Sequence, residues 1–297
     1  MSKLSFEYIN TIDNTRFPGH KLKGKAKYQK LYHFTSFDAF TKIWISQELK
    51  YGTITNVNDI QEQMKYFSVH NLNQLPVMCA YQDILSSYRQ ISFTMDNDSF
   101  LKGFMNTMMW GYYGDKSNGV CIEFDYDKIN FPKGTVNGIV KYTDFPPQYT
   151  VLPIEIKTTR QVKQFISKNL KKLFFYKQTG WKGENEFRVI NKGYEFLNIE
   201  NAITGVYLTS CMSKECQLVE KLVKDTVPIK YIGFHQVDDI YLPSAYDTKT
   251  SREEIIGAQN DPNNALELFN KQAWKHYEEH KNDENTSLIL DTYSLNP

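Results

Sequence analysis

From residue 30 onward, hydrophobic and polar positions fall into short runs whose period changes several times along the chain. Lys30-Leu31-Tyr32-His33-Phe34 is a brief aromatic run that predicts a buried strand. Ser36 then suits an N-cap, and Phe37, Phe40, Ile43 and Trp44 set an apolar stripe on the helix that follows, with Gly52 ending the unit. A second helix is expected from Asn58 or Asp59. Either can cap it, and Gln61 or Glu62 stands three residues on, as a capping box requires. Met64, Phe67 and Leu72 would face its core.

Between 77 and 143 the pattern turns to short strands. Tyr88–Thr94, Gly119–Asp125 and Gly138–Tyr142 are the candidates, the second with Val120, Ile122 and Phe124 alternating against Cys121 and Glu123. Pro146-Pro147 marks a loop. Residues 160–177 predict a basic amphipathic helix. Val162, Ile166, Leu170, Leu173 and Phe174 hold one side, and Arg160, Lys163, Lys168, Lys171, Lys172 and Lys177 populate the rest. Strands follow at Glu184–Ile190, Ala202–Leu208 and Ile229–Phe234. Asp261-Pro262 then opens a C-terminal helix carrying Leu266, Phe269, Ala273 and Tyr277.

Helices come first, then strands with one helix between them, without regular β-α-β alternation. That order predicts an α+β fold rather than a doubly wound sheet. The expected organisation is a basic arm over 1–29, one α+β domain over 30–250 and a helical extension over 251–297.

Composition adjusts this picture in four ways. The aromatic share of 14%, with 20 Tyr and 19 Phe, supplies enough bulk for a sizeable core and argues against a disordered chain. A net charge of +1 leaves no global footprint for nucleic acid, although residues 1–30 hold seven Lys/Arg against two acids and 251–297 hold four against nine. The two segments read as oppositely charged surfaces, or the first as an arm guiding an anionic substrate. No run approaches the ~20 apolar residues of a membrane span, and the N-terminus has no signal-peptide run, so the cytoplasm is the expected compartment. Cys79, Cys121, Cys211 and Cys216 form no Cys-x-x-Cys pair, so no zinc or redox motif is expected.

The stretch richest in chemistry is Trp181-x-Gly183-Glu184-Asn185-Glu186-Phe187-Arg188. As a strand, it would place Glu184, Glu186 and Arg188 on one face, the carboxylates about 6.5–7 Å apart. A solvent-facing edge would give the same alternation. Trp181 and Phe174-Phe175-Tyr176 nearby favour an aromatic-walled pocket instead. His33 and Thr35 end the first strand with groups able to bond a sugar or phosphate, and a structurally satisfied histidine is the plainer reading. Met108-Met109-Trp110-Gly111-Tyr112-Tyr113 offers rings for stacking, or simply core. Asn58 and Asp59 read first as a helix cap. No phosphate loop, His-Glu-x-x-His or nucleophile elbow occurs, so no metal site is expected.

Taken in order, His33-Phe34-Thr35, Asn58-Asp59-x-x-Glu62, Met109-Trp110-x-x-Tyr113, Gly119–Phe124 and Lys177-x-x-x-Trp181-x-x-Glu184-x-Glu186-x-Arg188 resemble a bacterial family known as a domain of unknown function. That family is associated with abortive infection and phage defence, and it distantly resembles the ADP-ribosyltransferases. Phe34 departs from the tyrosine more usual there. The resemblance covers roughly residues 31–240. It implies an ADP-ribosyltransferase-like split sheet, mixed or antiparallel, with flanking helices. It further implies NAD as a substrate, transfer to nucleic acid or protein or else NAD hydrolysis, a toxin or antiviral role, and a neutralising protein as a possible partner. On it, Glu186 and Glu184 become catalytic, while His33, Thr35, Trp110, Tyr113, Arg188 and Asn58 bind the dinucleotide. Two other readings stay open: a nuclease or other hydrolase built on Glu184, Glu186 and Asp59, and a non-enzymatic nucleotide-binding sensor.

Overall fold

The computed structural model describes residues 30–54, 57–59, 62, 75–96, 102–146, 152–153, 155–209, 214–237 and 240–247. The expected basic arm, the C-terminal helix, and Met64, Phe67 and Leu72 lie outside the described residues. β1 (Lys30–Thr35) is the central strand, and Ser36 caps α1 (Phe37–Ser46) by accepting from the Ala39 N–H at 3.3 Å. Short β2 (Glu48–Lys50) and β3 (Gly52–Thr53) follow, then α2 (Leu75–Ser86) and β4 (Tyr88–Met95). Next come α3 (Thr107–Tyr112), β5 (Val120–Asp125), β6 (Val136–Ile139) and β7 (Lys141–Thr143). α4 (Thr159–Phe174) leads into β8 (Tyr176–Gln178), a 3-10 turn over Thr179–Glu184, and β9 (Glu186–Lys192). β10 (Phe196–Asn198), β11 (Ile203–Leu208), α5 (Lys214–Val223), β12 (Ile229–Val237) and β13 (Ile240–Asp247) complete the order.

The main sheet runs β13-β12-β11-β5-β1-β4-β9-β6, with β3 beside β4. β11 and β12 pair in parallel and every other ladder of this sheet is antiparallel, so the fold is α+β with a mixed sheet and flanking helices. β7 and β8 form a small parallel pair of their own. The ladder between β1 and β4 covers only Leu31↔Met95 and Tyr32↔Thr94.

Strand alternation sends Leu31, Ile91, Phe93, Phe124, Phe187 and Val189 to one face, where they pack with Phe40 and Ile43 of α1 and Val219 and Val223 of α5. The other face is covered in two halves. Trp110 of α3 and Phe104 pack on Tyr32, Phe34 and Tyr207, while α2 and α4 bury Tyr81, Leu85, Ile166 and Phe174 with Ile190.

Four elements differ from expectation. α2 occupies residues expected to form strands; Met78, Tyr81 and Leu85 are buried at helical spacing. Gly138–Tyr142 is not one strand, because Val140 turns its N–H to the Glu186 carbonyl and splits it into β6 and β7. α4 ends at Phe174, so Lys177 belongs to β8. Glu184 closes a 3-10 turn, and β9 begins only at Glu186. Among the described residues, no helix is long and apolar enough to cross a membrane.

Candidate functional site

β9 carries Phe187 and Val189 into the apolar core and Glu186 and Arg188 to the opposite face. Register places Thr94 of β4 opposite Glu186 and Ser92 opposite Arg188. Lys177 comes from β8, where it pairs with Tyr142, and the Tyr142 hydroxyl accepts the Glu186 N–H at 3.0 Å.

Asn185 makes the turn that joins the two glutamates. It adopts a left-handed backbone (φ 45°), which asparagine tolerates better than most residues. Its side-chain amide donates to the carbonyls of Met95 and Asp96 at 3.0 and 3.1 Å. Glu184 thereby folds back toward Glu186 around Lys177. The two carboxylates therefore converge through a turn and a shared cation, and strand pleating does not bring them together.

Arg188, fully buried, is gripped on all sides. Its Nε and Nη2 donate to the two Glu186 oxygens at 2.6 and 2.8 Å, and Nη1 and Nη2 donate to those of Glu62 at 2.5 and 3.2 Å. Nη1 also meets the Phe174 carbonyl at 2.6 Å. Lys177 Nζ donates to Glu184 Oε2 and lies 3.0 Å from Glu186 Oε2 and 3.8 Å from Glu62 Oε2. The Trp181 ring lies 5.6 Å from the same ammonium. Tyr113 donates its hydroxyl to Glu184 Oε1 at 2.6 Å and accepts from Asn58 Nδ2 at 3.1 Å. Ser92 donates to Glu186 Oε1 at 2.5 Å.

Three carboxylates thus surround two cations, and all five side chains are buried. Removing such ions from water costs several kcal/mol each unless close pairing offsets it. The cluster carries one more negative than positive charge when fully ionised, and the environment divides that excess unequally. For Glu186, burial pushes the carboxyl pKa up, but Arg188, Lys177 and the Ser92 bond more than offset it and hold it well below the carboxylate range. For Glu184, burial and the neighbouring Glu186 charge win over Lys177 and Tyr113, and its pKa is raised. Burial alone would lower Lys177, but Glu186, Glu62 and Glu184 keep its ammonium protonated above the ordinary lysine range.

The structure brings together Glu184, Glu186, Arg188, Tyr113 and Asn58. It does not bring His33 or Thr35 to them. Tyr32, Thr94 and Glu186 are aligned across three strands on one face, so alternation sends His33 and Thr35 to the other. His33 packs edge-on against Phe93, with Nδ1 3.2 Å from the Ser92 carbonyl, and burial lowers its pKa. Trp110 is core: its ring meets Phe34 at 5.1 Å and its Nε1–H donates to the Phe104 carbonyl at 2.7 Å. Asp59 is buried one turn before Glu62, whose N–H donates to its carbonyl at 3.0 Å. Among the described residues, no group of three or more His, Cys, Asp or Glu is arranged to hold a metal ion. Lys177 and Arg188 occupy the positions between the carboxylates.

Sequence reasoning gave no catalytic or dinucleotide-binding role to four participants, although Glu62 and Lys177 stand within the motifs that carry the resemblance. Glu62 looked like part of a helix cap and Lys177 like part of a solvated helix face. Ser92 and Tyr142 carried no signal beyond strand periodicity.

Residues 109–189 match a family described as protein of unknown function (DUF2971). The matched stretch runs from α3 into β9 and so holds Tyr113, Lys177, Glu184, Glu186 and Arg188, while Asn58, Glu62 and Ser92 lie outside it. No curated protein and no solved structure matches the chain.

Proposed function

We propose that this protein breaks the nicotinamide–ribose bond of NAD and passes the ADP-ribosyl group to an acceptor or to water. The observation that carries the reading is the opposite tuning of two adjacent carboxyls, Glu186 held ionised and Glu184 pushed toward its protonated form. Carboxyls whose environments drive their pKa values apart are the usual mark of a division of labour between charge stabilisation and proton transfer. As the C1′–N bond breaks, nicotinamide leaves as a neutral amide and C1′ gains oxocarbenium character. Glu186 stabilises that positive charge from a fixed position in a dry site. The acceptor hydroxyl or a water then bonds to C1′ and gives its proton to Glu184, which releases it to solvent. Tyr113, bonded to Glu184, and exposed Asn58 and Ser92 border the approach.

The short ladder between β1 and β4, two register pairs long, supports likening the sheet to the split sheet of ADP-ribosyltransferases. The role as a toxin or antiviral effector rests on the sequence resemblance alone. The dinucleotide contacts move to Asn58, Tyr113 and Ser92, away from His33, Thr35 and Trp110.

The test is nicotinamide release from NAD labelled in both halves, with wild type compared with Glu184→Gln. Wild type is expected to release nicotinamide, and the variant to lose transfer to acceptors while retaining some hydrolysis, because water needs less activation. Absence of nicotinamide release by wild type, or an unchanged product ratio in the variant, would contradict the mechanism.

A further inference from the structure

The proposed chemistry makes no use of Tyr142, although its hydroxyl lies against the peptide that opens β9. Residues 140–142 hold the backbone of Glu186 at both ends: the Val140 N–H donates to the Glu186 carbonyl at 2.9 Å, and the Glu186 N–H donates to the Tyr142 hydroxyl at 3.0 Å. The Lys141 N–H between them donates to the Phe175 carbonyl at 2.9 Å, and Tyr142 pairs with Lys177 across β7 and β8. The strands that fix Glu186 and Lys177 therefore fix Tyr142 as well.

A tyrosine hydroxyl accepts hydrogen bonds and donates one. At Tyr142 the oxygen accepts from Glu186, while its own O–H has no acceptor among the described residues. In this it differs from Tyr113, whose O–H is spent on Glu184, and from Ser92, whose O–H is spent on Glu186. Tyr142 is half-buried, so the unused donor is neither sealed in the core nor loose in solvent. Burial and the Glu186 charge raise its pKa, which keeps the proton on the oxygen. A donor fixed in advance loses little freedom when a ligand accepts from it.

We propose that Tyr142 is a substrate-binding residue that donates its O–H to an uncharged oxygen, the 2′-hydroxyl of the nicotinamide-side ribose, an assignment that rests on the NAD reading above. Charge decides the kind of oxygen. Lys177 and Arg188 are paired with three carboxylates, so the cluster has no positive charge left over to hold a phosphate or carboxylate, whichever protonation state Glu184 takes. A neutral hydroxyl needs none. Position decides which hydroxyl. With C1′ facing Glu186, the hydroxyl on C2′ is the exocyclic oxygen nearest the reacting carbon, and Tyr142 adjoins Glu186 itself. The contact selects ribose over deoxyribose at this end of the dinucleotide.

The experiment uses carba-NAD, in which a methylene replaces the ring oxygen of the nicotinamide-side ribose so that nicotinamide stays attached, together with its 2′-deoxy counterpart. Both are titrated into the full chain by calorimetry. Tyr142→Phe should bind carba-NAD roughly three- to tenfold more weakly than wild type, the range of one neutral hydrogen bond, and should bind the 2′-deoxy ligand as wild type does. Equal weakening of both ligands would mean that Tyr142 acts only by holding Glu186, and would overturn the assignment. Undiminished binding of carba-NAD would overturn it too. Because Phe leaves the Glu186 N–H without its acceptor, a second probe keeps the hydroxyl: 3-fluorotyrosine inserted at position 142. Its ¹⁹F resonance should shift saturably with carba-NAD and less with the 2′-deoxy ligand; equal shifts, or none, would overturn the assignment even if the Phe variant failed to fold. Wild type that binds neither ligand would contradict the NAD reading itself, whereas binding without the Tyr142 difference would contradict this assignment alone.

Discussion

The two faces of β9 are equally dry and chemically opposite. Phe187 and Val189 on one face and Arg188 on the other are all 0% exposed, and Glu186 is 2% exposed. On the apolar face burial is itself stabilising, by about 1.5–3 kcal/mol for each large side chain. On the ionic face the same burial costs several kcal/mol per ion, and only mutual pairing offsets it. A well-packed apolar replacement of such a network is often no worse for folding. Stability is therefore a poor reason to keep the ionic face, whereas two carboxyls tuned in opposite directions are useful to chemistry. Strands that look alike by burial can thus differ in purpose.

The largest effect should come from breaking the ionic face on one side only. Arg188→Met leaves Glu186 and Glu62 buried without their shared guanidinium, which should cost about 3–5 kcal/mol in urea denaturation. Adding Glu186→Gln to it should recover part of that loss, because the stranded charge is removed with its partner. An additive double variant would mean that the two residues do not act as a pair.

A smaller effect separates the two glutamates by pH. Glu186, with a lowered pKa, contributes stability that is complete above the ordinary carboxylate range and lost as pH falls through and below it. Glu184, with a raised pKa, has the opposite sign: its contribution is complete below that range and lost as pH rises through its raised value. Glu184→Gln should therefore be at least as stable as wild type at pH 7, with the advantage shrinking in mild acid, where wild-type Glu184 takes up its proton. Paired melting curves across pH check this, and a variant losing stability only at neutral pH would reverse the assignment.

The smallest effect is expected on the outside of α4. Lys171→Glu with Lys172→Glu should change stability by no more than about 0.5 kcal/mol. Labelling of RNA, DNA and protein from labelled NAD should also stay unchanged if this helix is ordinary solvated surface. Loss of nucleic-acid labelling with hydrolysis retained would instead place the acceptor there.

Much of the apolar face was legible in the sequence. β1, α1 with its Ser36 cap, β4, β5, β11 and β12 follow from period and capping because each buries one regular stripe. α2 was misread because its apolar residues stand close enough together to resemble strands, although Met78, Tyr81 and Leu85 keep helical spacing. The ionic face was only half legible. The Glu184–Arg188 motif stood out, but a strand asparagine and a left-handed Asn185 look the same in sequence, so the mode of convergence did not. A buried Lys177 continues the lysine pattern of the helix before it, and only the end of α4 at Phe174 reveals the difference. Glu62 meets Arg188 across 126 residues of chain, a distance over which no periodicity carries information. His33 read as a site residue on its motif, and strand alternation placed it elsewhere.

The proposed mechanism depends most directly on the protonation of the two neighbouring glutamates. A ¹³C titration of side-chain carboxyls, assigned through Glu184→Gln and Glu186→Gln, measures it. The expected result is a Glu184 resonance that takes its proton above the ordinary carboxylate range while Glu186 remains ionised well below it. If both carboxyls instead titrated together at the ordinary glutamate value, the division of labour and the mechanism built on it would be contradicted.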